Sequence, residues 1–309
     1  MEGACHLCGR NDQLQLSHVI PKFVYTWTKE SCPSFLRNSK EPNLRIQDGE
    51  KEYLLCWECE QRLGAWEKAF CESVFVPLHE NKTDPKDLQY EQWALKFAVS
   101  VSWRNLLYHR QHQKLLADHL TQAQLTLADK AFDAWRQFLL GNREHPGQYE
   151  QHLLPLDIIE NHTVPFLSPC INRYFVRAID MDLLRADGDV FTYTKMNRIA
   201  IFGFIEMKER NKWRGTKIQL KKGAVGTSNF YIPEYLLKYL SNRANEIAAS
   251  FSQISEKQSA KISESIMKDP DRAANSEIFR AVEQDVALFG DRAFGAELSK
   301  NKNNEDDTG

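Results

Sequence analysis

The 309 residues carry 40 Lys or Arg against 42 Asp or Glu, a net charge of -2, with 42% hydrophobic and 27% charged residues. Such a composition is ordinary for a globular chain of one or two cored domains, and its charge balance does not point to a general polyanion binder. No stretch nears the ~18 consecutive apolar residues of a membrane helix, so no membrane partner is expected.

The chain starts Met-Glu-Gly-Ala-Cys, without the basic and apolar regions of a signal peptide, which makes the cytoplasm the expected compartment. Seven cysteines, an odd number, argue against a disulfide framework there. Four of them form two Cys-x-x-Cys pairs, "CHLC" (Cys5, Cys8) and "CWEC" (Cys56, Cys59), with 47 residues between the pairs. Four thiolates are the ligand count of a tetrahedral structural zinc site, so residues 1–80 are expected to be a zinc module. Metal binding to such a module is worth on the order of 10–16 kcal/mol, so the segment should fold only with its ion. Cys32, Cys71 and Cys170 have no paired spacing and read as core thiols. Trp57 and Trp66 are expected to pack the module's helix against the next domain.

Residues 81–170 are expected to be a helical segment and a connector. "NKTDPKDL" opens it as a linker; from about Tyr90 to Phe138 apolar residues recur at helical spacing, and Gly141 stops the pattern. His109, His112 and His119 have no ligand spacing and read as a solvated helix face. Four prolines (Pro146, Pro155, Pro165, Pro169) mark an irregular connector.

Over 171–232, "RYFVRAIDMDLL", "DVFTYTKMN" and "RIAIFGFIEM" read as the strands of an antiparallel meander, with "RADGD" as a turn and "TKIQL" as a continuation. The span Lys195 to Lys222 has nine Lys or Arg and two Glu, whereas residues 1–80 have nine against twelve Asp or Glu. Its basic loop interleaves Lys208, Arg210, Lys212, Arg214 and Lys217 around Trp213. It reads as a nucleic-acid contact, cations on phosphates and the indole on a base, or else as a solvated hairpin tip. Residues 233–298 are expected to be helical, and 299–309 a disordered polar tail.

A Cys-x-x-Cys, then "LSHVIP", then "LLCxxC" opening a helix together resemble the HNH (ββα-metal, His-Me finger) endonucleases, in the branch whose finger is pinned by four cysteines around zinc. The resemblance covers residues 1–80. It implies a zinc-stabilised ββα-metal, treble-clef-like finger there; with the helical segment, small antiparallel sheet and C-terminal helices read from the rest of the sequence, the expected class is α+β.

The resemblance also implies a metal-dependent endonuclease acting on DNA, in bacterial defence, as a toxin or in a mobile element. His18 falls at the position of the general base for the attacking water. Ser17 falls at the position of one ligand of a catalytic Mg²⁺ or Mn²⁺, and Glu60, directly after Cys59, at that of the second. The Asn that normally steadies the His-bearing loop has no counterpart near the second cysteine pair. The alternative reading is a catalytically silent zinc module that binds nucleic acid or a protein partner.

Overall fold

A computed structural model of the chain describes residues 1–32, 35–80, 84, 87–112, 120–226 and 229–294. Two units interleave along it. Unit 1 gathers Met1–Phe23, Gly49–Pro155 and Ile179–Pro233; unit 2 gathers Val24–Asp48, Leu156–Ala178 and Glu234–Gly309. Helix α1 (Lys22–Glu30) starts in the first and continues into the second. The tail expected over 299–309, His119 and most of the 81–88 linker lie outside the described residues.

Unit 1 opens with an antiparallel sheet in the order β1 (Glu2–Ala4), β2 (Asn11–His18), β3 (Lys51–Cys56). Helix α2 (Trp57–Phe70) begins on the residue after β3. It runs through one π-turn, Cys71–Phe75, into the short α3 (Val76–His79). The aromatic side of this rod meets α4 (Gln92–Gln111), where Phe70 stacks on Phe97 with ring centroids 4.0 Å apart, and the start of α1, where Phe75 meets Phe23 edge-on at 4.9 Å. Helix α5 (Gln122–Leu140) starts with a reciprocal capping box between Thr121 and Gln124 and stops at Gly141, whose φ of 85° only glycine adopts without strain.

A short strand pair, β4 (Gln89–Glu91) with a later segment Lys222–Ala224, flanks a four-stranded antiparallel sheet. Its order is β5 (Gln151–Pro155), β8 (Ile199–Glu206), β7 (Asp189–Met196), β6 (Ile179–Ala186). The β6–β7 turn is Asp187-Gly188, both residues at positive φ, as a tight hairpin of right-handed strands requires. Every residue of β7, and all of β8 but Glu206, is buried. Strands covered on both faces cannot show the polar alternation of a half-exposed sheet.

Unit 2 is helical, with α6 (Ile171–Arg177), α7 (Glu234–Phe251), α8 (Glu256–Lys268), α9 (Pro270–Ala274) and α10 (Glu277–Phe289). Its α6 opens on the fully buried carboxylate of Asp285, which accepts the backbone N–H of Asn172 at 2.9 Å and Nε of Arg173 at 2.9 Å. Burial pushes this carboxyl above its ordinary range, against those hydrogen bonds.

The mixture of helix with small antiparallel sheets matches the expected α+β class. Several local expectations are corrected. "RYFVR" begins as helix rather than strand, because Asp285 satisfies its first N–H groups. "HLLP", read as connector, is the edge strand β5; its terminal Pro155 is tolerated at a strand end. "TKIQL" forms no strand, and meets β5 through one bridge, Lys217 to His152. His109 is buried, not solvated. Trp57 stands 61% exposed instead of packing inward, since it is the first residue of α2 and not on its buried side.

Candidate metal centre

The two Cys-x-x-Cys pairs meet at one end of the β1–β2–β3 sheet. The first sits in the turn between β1 and β2, where Cys5 N–H donates to Arg10 O at 2.8 Å and Gly9 N–H to Cys5 O at 2.8 Å. Gly9 takes φ 83°, which lets so tight a turn close. Arg136 of α5 braces the turn through Nε on Leu7 O at 2.6 Å. The second pair straddles the junction of β3 and α2.

All four sulfur atoms lie within 4.8 Å of one another, with Cys5, Cys56 and Cys59 buried and Cys8 half-buried. Cys8 Sγ and Cys56 Sγ are 3.8 Å apart. That is about the edge of a tetrahedron with ~2.3 Å zinc–sulfur bonds, and far beyond the ~2.05 Å of a disulfide. The cage therefore fits a tetrahedral metal ion such as zinc. Among the described residues this is the one group of three or more His, Cys, Asp or Glu donors so assembled.

Metal-free, the four thiols are not equivalent. Burial pushes Cys5 and Cys59 up. At Cys8 burial pulls the same way, but the backbone N–H and guanidinium of Arg10 outweigh it and lower the thiol to about 6. Arg10 also donates Nη2 to Cys56 Sγ at 3.7 Å and is ion-paired with Glu58 in the first turn of α2. A Cys₄ site with a divalent ion carries a charge of -2, which a guanidinium facing two of its sulfurs offsets in part.

At the other end of β2, Ser17 and Glu60 are in contact. Ser17, fully buried, donates its hydroxyl to Glu60 Oε2 at 2.6 Å. Glu60, half-buried in the first turn of α2, stands directly after Cys59, so the second cysteine pair fixes where its helix turn begins. His18 closes β2, opposite Lys51 in the register, and its carbonyl accepts Nη1 of Arg104 at 2.9 Å. Arg104, on α4 and 2% exposed, also pairs through Nη2 with Glu67 of α2 at 2.7 Å. Neither Arg104 nor Glu67 was singled out in the sequence. The available signal was a cation inside the apolar run "SVSWRNLL", since buried charge is kept where it is paired.

The remaining site expectations fare differently. Trp213 is no stacking platform: it is 4% exposed, its indole caged by Phe191, Phe202, Phe204 and His152 at 4.9–5.7 Å between centroids, and its Nε1 donates to Asp189 at 3.3 Å. The basic loop around it is paired within the unit. Arg210 and Lys217 converge on Glu150, Lys217 at 2.9 Å; Lys208 pairs with Glu206, and Lys212 with Glu209. Arg214 lies over the Tyr231 ring, 4.0 Å from its centroid. Three carboxylates thus meet four of the loop's five cations, and the fifth, Arg214, meets a ring instead. His79 is a core histidine, donating Nδ1–H to Phe75 O at 2.7 Å and accepting Arg198 N–H on Nε2 at 3.2 Å.

No protein-family model, no curated protein and no solved structure matches the chain.

Proposed function

We propose that the chain is a zinc-pinned ββα-finger endonuclease that hydrolyses phosphodiester bonds in DNA, with His18 as general base and Glu60 as the protein ligand of a catalytic Mg²⁺ or Mn²⁺. The observation that carries this reading is the 2.6 Å bond between Ser17 and Glu60. It brings the end of β2 onto the first turn of α2, the corner at which the HNH resemblance expects its base and cation.

The two kinds of site have different chemistry. Four sulfurs make a closed, soft cage suited to a structural ion. Ser17 and Glu60 offer hard oxygens, and Mg²⁺ is held by one or two carboxylates while keeping several waters for a substrate phosphate to replace. A cation bound there would offset charge developing on the phosphate and the leaving oxygen. Glu60 would hold it; Ser17 fixes the rotamer of Glu60; and His18 takes the proton of the attacking water.

The test is nicking of supercoiled plasmid with Mg²⁺ or Mn²⁺ by zinc-replete protein, beside His18→Ala and Glu60→Ala of equal zinc content. Cleavage by wild type, with a loss of at least ~100-fold in His18→Ala, is the expected result, as general-base contributions of about 10²–10⁴ predict. A second reading, a silent zinc module that docks nucleic acid or a protein, draws on the same bond: in it Ser17 and Glu60 satisfy each other, and no further acidic or His donor joins them in a metal-holding group among the described residues. If wild type, folded and zinc-bound, cuts neither plasmid, single-stranded DNA nor RNA, that reading replaces the first.

A further inference from the structure

We infer that Arg104 is the positioning residue for the His18 corner, doing from a separate helix what the resemblance assigns to an Asn that this chain lacks. The inference rests on the nuclease reading for its function, and on geometry alone for its contacts.

Arg104 holds the His18 carbonyl from 86 residues away in sequence. Its guanidinium is almost wholly buried and uses its fork in two directions. Nη1 donates a hydrogen bond to His18 O at 2.9 Å, and Nη2 lies 2.7 Å from Glu67 Oε1 as an ion pair without hydrogen-bond alignment. Nε reaches back to Ser100 O, one turn earlier on the same helix, at 3.3 Å. One planar group thus ties the end of β2 to the middle of α2 and to α4.

A second hold on this corner is from the backbone: Val19 N–H donates to Glu50 O at 3.0 Å, just before β3 begins. The peptide after His18 is therefore gripped on its carbonyl by Arg104 and on its nitrogen by Glu50. Rotation of that peptide would swing the imidazole, so the clasp sets where the ring can lie relative to Glu60. Lysine cannot replace this arrangement: a single ammonium that reached the His18 carbonyl would lack the separate Nε that bonds Ser100 O and the Nη2 that sits against Glu67.

Stability and positioning make different predictions. A buried pair that only held the fold would be replaced without functional loss by a neutral pair of similar volume, since removing both partners avoids an orphaned charge. The variants are Arg104→Lys, Glu67→Gln and the double variant Arg104→Met with Glu67→Gln, each at wild-type zinc content and thermal midpoint within a few degrees. Two readouts are taken: plasmid nicking, and the ¹³C-histidine spectrum, in which the His18 ring signal is identified by its absence in His18→Ala.

We expect the double variant and Arg104→Lys to move the His18 ring signal and leave most other histidine signals in place. We expect nicking to fall about 10–100-fold in kcat, with KM little changed, the range typical of lost outer-shell support. Glu67→Gln, which keeps the carbonyl contact, should lie nearer wild type. An unmoved His18 signal in the double variant overturns the inference whether or not the protein cuts. A moved signal in a protein that never cuts supports the clasp and sinks the nuclease reading. Wild-type nicking with a moved signal overturns the positioning role itself.

Discussion

Arg10 shows how one exposed residue can decide the behaviour of a buried cage. It faces Cys56 Sγ at 3.7 Å and lowers the Cys8 thiol, while Glu58 holds it in place. Cys8 is the least buried of the four cysteines, and so the one an incoming chelator reaches first. Arg10→Ala should leave the fold intact and speed zinc transfer to a chromogenic chelator roughly 10–100-fold, by loss of outer-shell support. Equal release rates in wild type and variant would show that the guanidinium does not hold the cage. The cage itself was legible from two four-residue motifs, because thiolate spacing is a local property. Arg10 and Arg104 were not legible as supports, since their partners lie 46 and 86 residues away. Trp213 misled for the same reason. Flanked by cations it looks solvent-facing, but the aromatics that cage it come from β7 and β8, and Glu150, on which two of the neighbouring cations converge, precedes β5.

Among the elements, β8 and α4 are fitted to each other at Gly203. A Cβ built there would stand 2.4 Å from Ser102 Oγ and 2.5 Å from Ser102 Cβ. Ser102 cannot turn aside cheaply, since its hydroxyl donates to Gln151 on β5 at 2.7 Å. Gly203→Ala should therefore destabilise unit 1 by about 1–3 kcal/mol, the usual cost of overpacking a dense core. Urea titration reads this directly, and an unchanged midpoint would mean the helix–sheet spacing is loose. Strand and helix types followed from texture: "RIAIFGFIEM" is β8 and "RADGD" is the β6–β7 turn. What texture could not give is the recruitment of "QHLLP" as an edge strand, because five residues beside a proline carry no period of their own. The helical start of "RYFVR" also escaped it, because the deciding group, Asp285, lies more than a hundred residues later.

For the whole molecule, His79 is one group that ties stability to pH, beside the buried His152, which burial also lowers. Burial, with Arg198 and Lys195 adding to it, lowers the His79 imidazole to about 3. The unfolded chain binds the proton at about pH 6.5, so between those values the unfolded state holds more protons. The stabilising effect is complete above pH 6.5 and is lost as pH falls towards 3, amounting to about 2 kcal/mol between pH 7 and pH 5. Denaturation of wild type beside His79→Asn at both pH values measures it. The gap between the two proteins should narrow at pH 5 by about that amount, and a constant gap would assign the acid sensitivity to other groups, the zinc thiolates first among them.

The order of elements along unit 1 sets an order of events during synthesis. The two knuckles, the three strands of the first sheet and α2 are all complete by Phe70, whereas Arg104 belongs to the later α4. At about 5–20 residues per second, synthesis from Phe70 to Arg104 takes roughly 2–7 s. In that interval all four thiols exist while the His18 peptide has no guanidinium to hold it. A chain paused there has all four cysteines of the cage but no guanidinium for the His18 peptide, so the metal cage and the His18 corner are completed at different times.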